Sequence, residues 1–176
     1  MRERHLVLVG LPGAGKSTVG PRVAQALGRE FVDLDAEIER AAGRTIAEIF
    51  ARDGEAAFRA LERAESRALL APGGRPLVLA PGGGWIEDEA NRALLGRAAT
   101  GVYLAVSPGV ALARMGAAVE GRPLLAGSDP AKKLSELAHR RIPLYVQCQH
   151  TVSVDLMTPD QVVSSIVALA SQEIGD

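Results

Sequence analysis

The sequence predicts an α/β protein, a three-layer α-β-α arrangement around a five-stranded parallel sheet, and three observations carry that prediction. Five short β-rich runs alternate with stretches of helical periodicity along 176 residues. The first run, His5-Leu6-Val7-Leu8-Val9, ends at Gly10 and has the apolar continuity of a strand buried on both faces. Hydrophobic residues make up 47% and charged residues 23%, so a sizeable soluble core can form, and the length suits a single domain over 1–176.

Taken in order, the first strand covers 5–9 and a helix follows over 16–27, where Val19, Val23, Ala24 and Leu27 recur at helical spacing before Gly28. Pro21 interrupts that helix and is tolerable only near its first turns. A second strand covers 31–35 and ends on two carboxylates, Asp33 and Asp35. Helices are expected over 36–42, 46–52 and 56–70, punctuated by Gly43 and Gly54. Residues 76–80 form a third strand, stopped by Pro81-Gly82-Gly83-Gly84, and 100–106 a fourth, after which Ser107-Pro108 opens another helix. A fifth strand covers 150–154, and Thr158-Pro159 starts the last helix. The least regular stretch, 116–129, reads as a surface loop or a mobile lid.

With 20 basic and 21 acidic residues there is no global field to gather nucleic acid or an anionic membrane, so an anionic ligand must be caught by a local cluster. The one cysteine, Cys148, has no partner for an internal disulfide, no Cys/His set has metal-ligand spacing, and no signal peptide or membrane span is read, which together suit a reducing cytoplasm. Cys148 reads as a small buried residue, and His5, His139 and His150 are too scattered to be assigned a catalytic role.

Chemistry concentrates after the first strand. Gly10-Leu11-Pro12-Gly13-Ala14-Gly15-Lys16-Ser17 has the form G-x-x-x-x-G-K-S, in which glycines let backbone N–H groups converge on phosphate oxygens at the positive end of a helix. Gly13, Ala14, Gly15, Lys16, Ser17 and Thr18 would hold ATP, with Lys16 reaching the β- and γ-phosphates and the Ser17 hydroxyl on Mg²⁺. Asp33 and Asp35 are open to several roles: orienting the metal through water, accepting a substrate hydroxyl's proton, or capping the next helix. Arg59 and Glu62, three apart on a helix, form either a solvated pair or an arginine held for a carboxylate. Gly82, Gly83 and Gly84 allow close ligand approach beyond the strand ends, where an open parallel sheet binds its ligands.

These blocks, with Gly54-Glu55-Ala56-Ala57-Phe58-Arg59-Ala60-Leu61-Glu62, Gly121-Arg122-Pro123-Leu124-Leu125 and Arg140-Arg141-Ile142-Pro143-Leu144-Tyr145, fall in one order over nearly the whole chain, which resembles the shikimate kinase family. The resemblance implies a fold like that of nucleoside-monophosphate kinases. It also implies MgATP-dependent phosphorylation of the shikimate 3-hydroxyl, in the route to chorismate and aromatic amino acids. It implies Asp35, Lys16 and Arg122 as catalytic residues, Arg122 closing from the lid, and Ser17 with Asp33 at the metal. Asp35, Arg59, Gly82, Gly83, Gly84 and Arg141 would bind shikimate, while Arg114 and Pro159 would sandwich adenine. Expected partners are ATP and shikimate, with no nucleic acid and no membrane, and the chain is expected to be a monomer. Two departures from the family stand out. Leu79-Ala80-Pro81 lacks the hydroxyl usual before the three glycines, so metal binding would rest more on Ser17 and Asp33. Trp85 follows them where smaller residues are common, and either narrows the acceptor pocket or, as the favoured reading, packs under the loop. A gluconate-type kinase is the nearest rival, and a non-catalytic nucleotide sensor the rival of another class.

Overall fold

The structure, a computed structural model, describes residues 4–119, 125, 127 and 129–175. Arg122 and half of the expected lid over 116–129 therefore lie outside the described residues. Five strands, β1 (His5–Val9), β2 (Glu30–Asp33), β3 (Leu77–Ala80), β4 (Ala99–Ala105) and β5 (His150–Ser153), form one parallel sheet in the order β2-β3-β1-β4-β5. The register sets Val7 opposite Leu79 on one side of β1 and Val9 opposite Tyr103 on the other. All of β1 is buried, which is why its sequence is apolar from Leu6 to Val9, whereas the edge strands β2 and β5 are mostly half-buried or exposed.

The helices α1 (Lys16–Ala26), α2 (Leu34–Ala42), α3 (Ile46–Leu69), α4 (Glu89–Arg92), α5 (Pro108–Met115), α6 (Pro130–Tyr145) and α7 (Pro159–Gly175) cover both sides of the sheet. Packing pairs α1 with α7, α2 with α3 and α5 with α6. The three-layer α-β-α reading holds, and the departures are local. Strand β2 stops at Asp33 because its carboxylate caps α2, accepting from the Ala36 N–H at 3.1 Å, so Leu34 and Asp35 belong to the helix. Pro76 stays out of β3, having no N–H to give the ladder. The two helices expected around Gly54 run on as α3, with a kink where Gly54 takes φ 83°. Pro21 lies inside α1 on an exposed position.

Helix α6 went unread in the sequence although its pattern was present. Asp129 caps it by accepting from Lys132 N–H, Pro130 opens it, and Leu134, Leu137, Ala138, Arg141 and Tyr145 recur on its buried side. It delivers Arg141 to the site. Trp85 is fully buried in the short 3₁₀ turn Gly83–Glu87; its indole N–H donates to Ser66 Oγ at 2.8 Å, and that hydroxyl donates to the Glu62 carbonyl at 2.7 Å. The ring packs beneath the glycine loop and fastens it to α3, as the packing alternative holds.

Candidate active site

The turn after β1 opens α1 through Gly15, which caps the helix at φ 98°, so the first amides of the helix face outward without a side-chain cap. Gly13 takes φ 83°, and a methyl placed on it would lie 2.5 Å from the Ala111 carbonyl oxygen of α5. Both facts forbid a side chain. Gly13→Ala is expected to destabilise the fold by about 1–3 kcal/mol through backbone strain and clash, read as a lowered Tm. Lys16 folds back over the same turn, its Nζ donating to the Gly10 carbonyl at 2.6 Å and the Leu11 carbonyl at 3.1 Å.

A cavity of about 580 Å³ opens at these C-terminal strand ends. Its wall joins Gly13, Ala14, Gly15, Lys16, Ser17 and Thr18 with Asp33, Asp35, Gly82, Gly83, Arg114 and Pro159. Strands β1 and β3 are neighbours, so the turn after one and the glycine loop after the other must meet. Arg114 on α5 is held by the β5–α7 loop, its Nη2 donating to the Val154 carbonyl at 2.6 Å, and faces the same cavity as Pro159 on α7. Met157 and Val162 line that end too and were not singled out in the sequence; Val162 follows Pro159 by one helical turn.

Arg59, Gly84 and Arg141 lie behind the wall, and the glycine loop connects them to it. A methyl on Gly82 would lie 3.4 Å from both Asp35 carboxylate oxygens. On Gly83 it would lie 2.8 Å from Arg141 Nη1, and on Gly84 2.7 Å from Arg59 Nη2. Three consecutive glycines thus touch a carboxylate and two guanidiniums. Tyr145 donates its hydroxyl to the Gly83 carbonyl at 2.8 Å and stacks on Tyr103 at 5.0 Å between centroids. Burial raises the Tyr145 phenol above its ordinary range, so it stays protonated and keeps that bond.

Each arginine is paired with an acid. Arg59 Nη1 donates to Glu62 Oε1 at 2.8 Å, with Glu62 only 1% exposed, and Arg59 also lies over the Phe58 ring at 5.2 Å. Arg141, 2% exposed, donates from Nε to Glu87 Oε1 at 3.2 Å. Asp35 differs: its Oδ1 is buried with no hydrogen-bond partner among the described residues. Burial, then the neighbouring Asp33 charge, raises the Asp35 carboxyl above the usual range, and Arg59 and Lys16 only partly oppose this. A carboxylate without a donor, made more basic by its surroundings, is suited to receive a proton from a ligand. Asp33 spends Oδ1 on the α2 cap, which is the structural role its spacing had left open. Cys148 is buried and its thiol is pushed up to about 11, which removes it as a nucleophile.

The shikimate kinase family model matches residues 12–171. The chain belongs to the shikimate kinase family. A shikimate kinase of Rhodococcus erythropolis is 48% identical over 164 residues, covering 92% of this chain and 94% of that protein. That of Caulobacter vibrioides is 44% identical, covering 98% of this chain and 84% of that one. Among solved structures, a shikimate kinase from Acinetobacter baumannii in complex with shikimate superposes with a TM-score of 0.88 at 37% identity, covering 97% of this chain and 94% of that chain. A gluconokinase from Sinorhizobium meliloti reaches a TM-score of 0.61 at 18% identity, covering 97% and 93%, and shares the fold alone. As a member of the shikimate kinase family the chain is an ATP-dependent kinase.

Proposed function

We propose that this chain transfers the γ-phosphoryl group of ATP to the 3-hydroxyl of shikimate, giving shikimate 3-phosphate and ADP. The observation that supports it best is the glycine loop whose three residues abut Asp35, Arg141 and Arg59 in turn. That order suits an acceptor with a hydroxyl at one end, against the carboxylate, and a carboxylate at the other, against the arginine forks.

The α1 amides and Lys16 hold the phosphates, and Arg114 and Pro159 bracket the adenine. Ser17 and Asp33, a hydroxyl and a carboxylate on one cavity wall, are hard oxygen donors that fit Mg²⁺, an ion that keeps several waters. Ala80, paired with Asp33 across the sheet, adds no side-chain oxygen there. When bound, Mg²⁺ neutralises charge on the β- and γ-phosphate oxygens. Asp35 orients the acceptor hydroxyl and takes its proton as the new O–P bond forms and the bond from Pγ to the ADP oxygen breaks. Lys16 stays on the phosphates as charge moves to ADP, and Arg122, whose placement is taken from the family resemblance, is proposed to close over them.

The scheme calls on no second copy of the chain, and we propose that it acts as a monomer. Its single cysteine supports a reducing cytoplasmic setting, and among the described residues no helix is long and apolar enough to cross a membrane. The test is ADP release with shikimate and gluconate assayed side by side: turnover is expected with shikimate, and turnover confined to gluconate would overturn the proposal.

A further inference from the structure

The geometry points to Glu87 as a positioning residue that aims Arg141 at the carboxylate of the acceptor, an inference that rests on the acceptor reading above. Glu87 ends the 3₁₀ turn that begins at Gly83, so the residue gripping Arg141 and the glycines Arg141 touches belong to one five-residue unit. That unit is fixed at its start and at its middle residue. Trp85 ties it to Ser66 on α3, and Tyr145 ties Gly83 to α6.

The way Glu87 grips the guanidinium matters. An arginine offers five donors in a rigid fork, and Glu87 Oε1 takes the Nε donor. The terminal nitrogens then point at the glycine backbone: a methyl on Gly83 would lie 2.8 Å from Nη1, and one on Gly84 3.3 Å from Nη2. Nη1 is buried without a well-formed hydrogen bond among the described residues, with the Tyr145 hydroxyl beside it at Gly83. An anion beside these glycines would meet the two-nitrogen end of the fork, already oriented, while the Glu87 charge offsets the cost of keeping a nearly inaccessible cation there. Arg140 contributes to the same carboxylate, its Nε 3.5 Å from Oε1, but is 61% exposed and so adds little. Glu87 is itself about one-third exposed, so its part is orientation more than anchorage of the fold.

The test compares Glu87→Ala and Glu87→Gln with the parent on shikimate and on its methyl ester, which lacks the charged carboxylate. Loss of a hydrogen bond to a charged group predicts that Glu87→Ala raises the KM for shikimate about tenfold. The KM for ATP and kcat are expected to move by no more than about twofold, the split that marks loss of acceptor binding alone. Glu87→Gln, which keeps an acceptor oxygen for Nε, is expected to recover part of the loss. On the methyl ester the parent and Glu87→Ala are expected to coincide. An unchanged KM for shikimate in Glu87→Ala, an equal rise for the ester, or an equal rise for ATP would each overturn the inference. Absence of shikimate turnover by the parent would instead overturn the acceptor reading, and this inference with it. A thermal melt of each variant separates misfolding from misaiming: the KM change is expected in Glu87→Gln at an unaltered Tm.

Discussion

Asp35→Asn is expected to lower kcat with shikimate by about 10²- to 10⁴-fold, the usual contribution of a general base, while ATP binding measured by calorimetry is retained. The substitution is nearly isosteric and removes the charge from a side chain whose Oδ1 is buried without a donor. Retention of full rate would refute the assignment. Two further readouts follow from the raised Asp35 carboxyl, caused first by burial and then by the Asp33 charge. In the parent, the rate is expected to rise with pH through that raised value, as the base loses its proton, and this limb is expected to vanish in the variant. Stability runs the opposite way. A carboxyl that binds its proton more tightly folded than unfolded favours folding at pH below its unfolded value, and that contribution is lost as pH rises through the folded one. At neutral pH the parent therefore carries an unfavourable buried charge, and Asp35→Asn is expected to melt at a higher temperature. Activity and stability are set against each other at one residue.

Lys16→Met is expected to reduce kcat by about 10²- to 10³-fold, the loss seen when one preorganised donor to the developing charge is removed. Binding of shikimate alone, followed by calorimetry, is expected to stay near the parent value because Arg59 and Arg141, proposed to hold the acceptor's carboxylate, lie behind the cavity wall that Lys16 and Asp35 share. Lys16 donates to the Gly10 and Leu11 carbonyls in the structure, so it must leave them to reach a γ-phosphate. Loss of shikimate affinity equal to the loss of rate would show that Lys16 orders the whole site and would count against a role confined to the phosphates. Together the two variants separate the halves of the site, one keeping nucleotide and the other keeping acceptor.

Much of this architecture was legible in the sequence, for local reasons. A five-residue apolar run ending in Gly10, followed by glycines and Lys16-Ser17, leaves few backbone alternatives to a strand, a phosphate-cradling turn and a helix. The same holds for Gly54, whose left-handed φ breaks α3 where the chain was read as two helices. Asp33 and Asp35 were visible as a pair, but their division of labour was not. Whether the strand runs to 35 or stops at 33 depends on a capping bond worth about 1 kcal/mol, a margin that neighbouring contacts readily decide. Helix α6 was missed because Arg141 and Pro143 interrupt its apolar pattern, and only in the folded chain is Arg141 seen to be buried against Glu87. No spacing rule links Glu87 to a residue 54 positions away.

By itself the sequence determined the alternation of strands and helices and the glycine-rich turn before α1, since these follow from backbone freedom, periodicity and motif, while the residues proposed for the acceptor came from the resemblance to the shikimate kinase family. The tertiary structure decided which groups meet: Asp33 as the cap and Asp35 as the buried carboxylate, the indole of Trp85 beneath the glycine loop on Ser66, and Glu87 on Arg141. The physical reason is that burial and long-range pairing depend on how strands β1 and β3 bring separate loops side by side, a property of the sheet order that no local stretch of chain encodes.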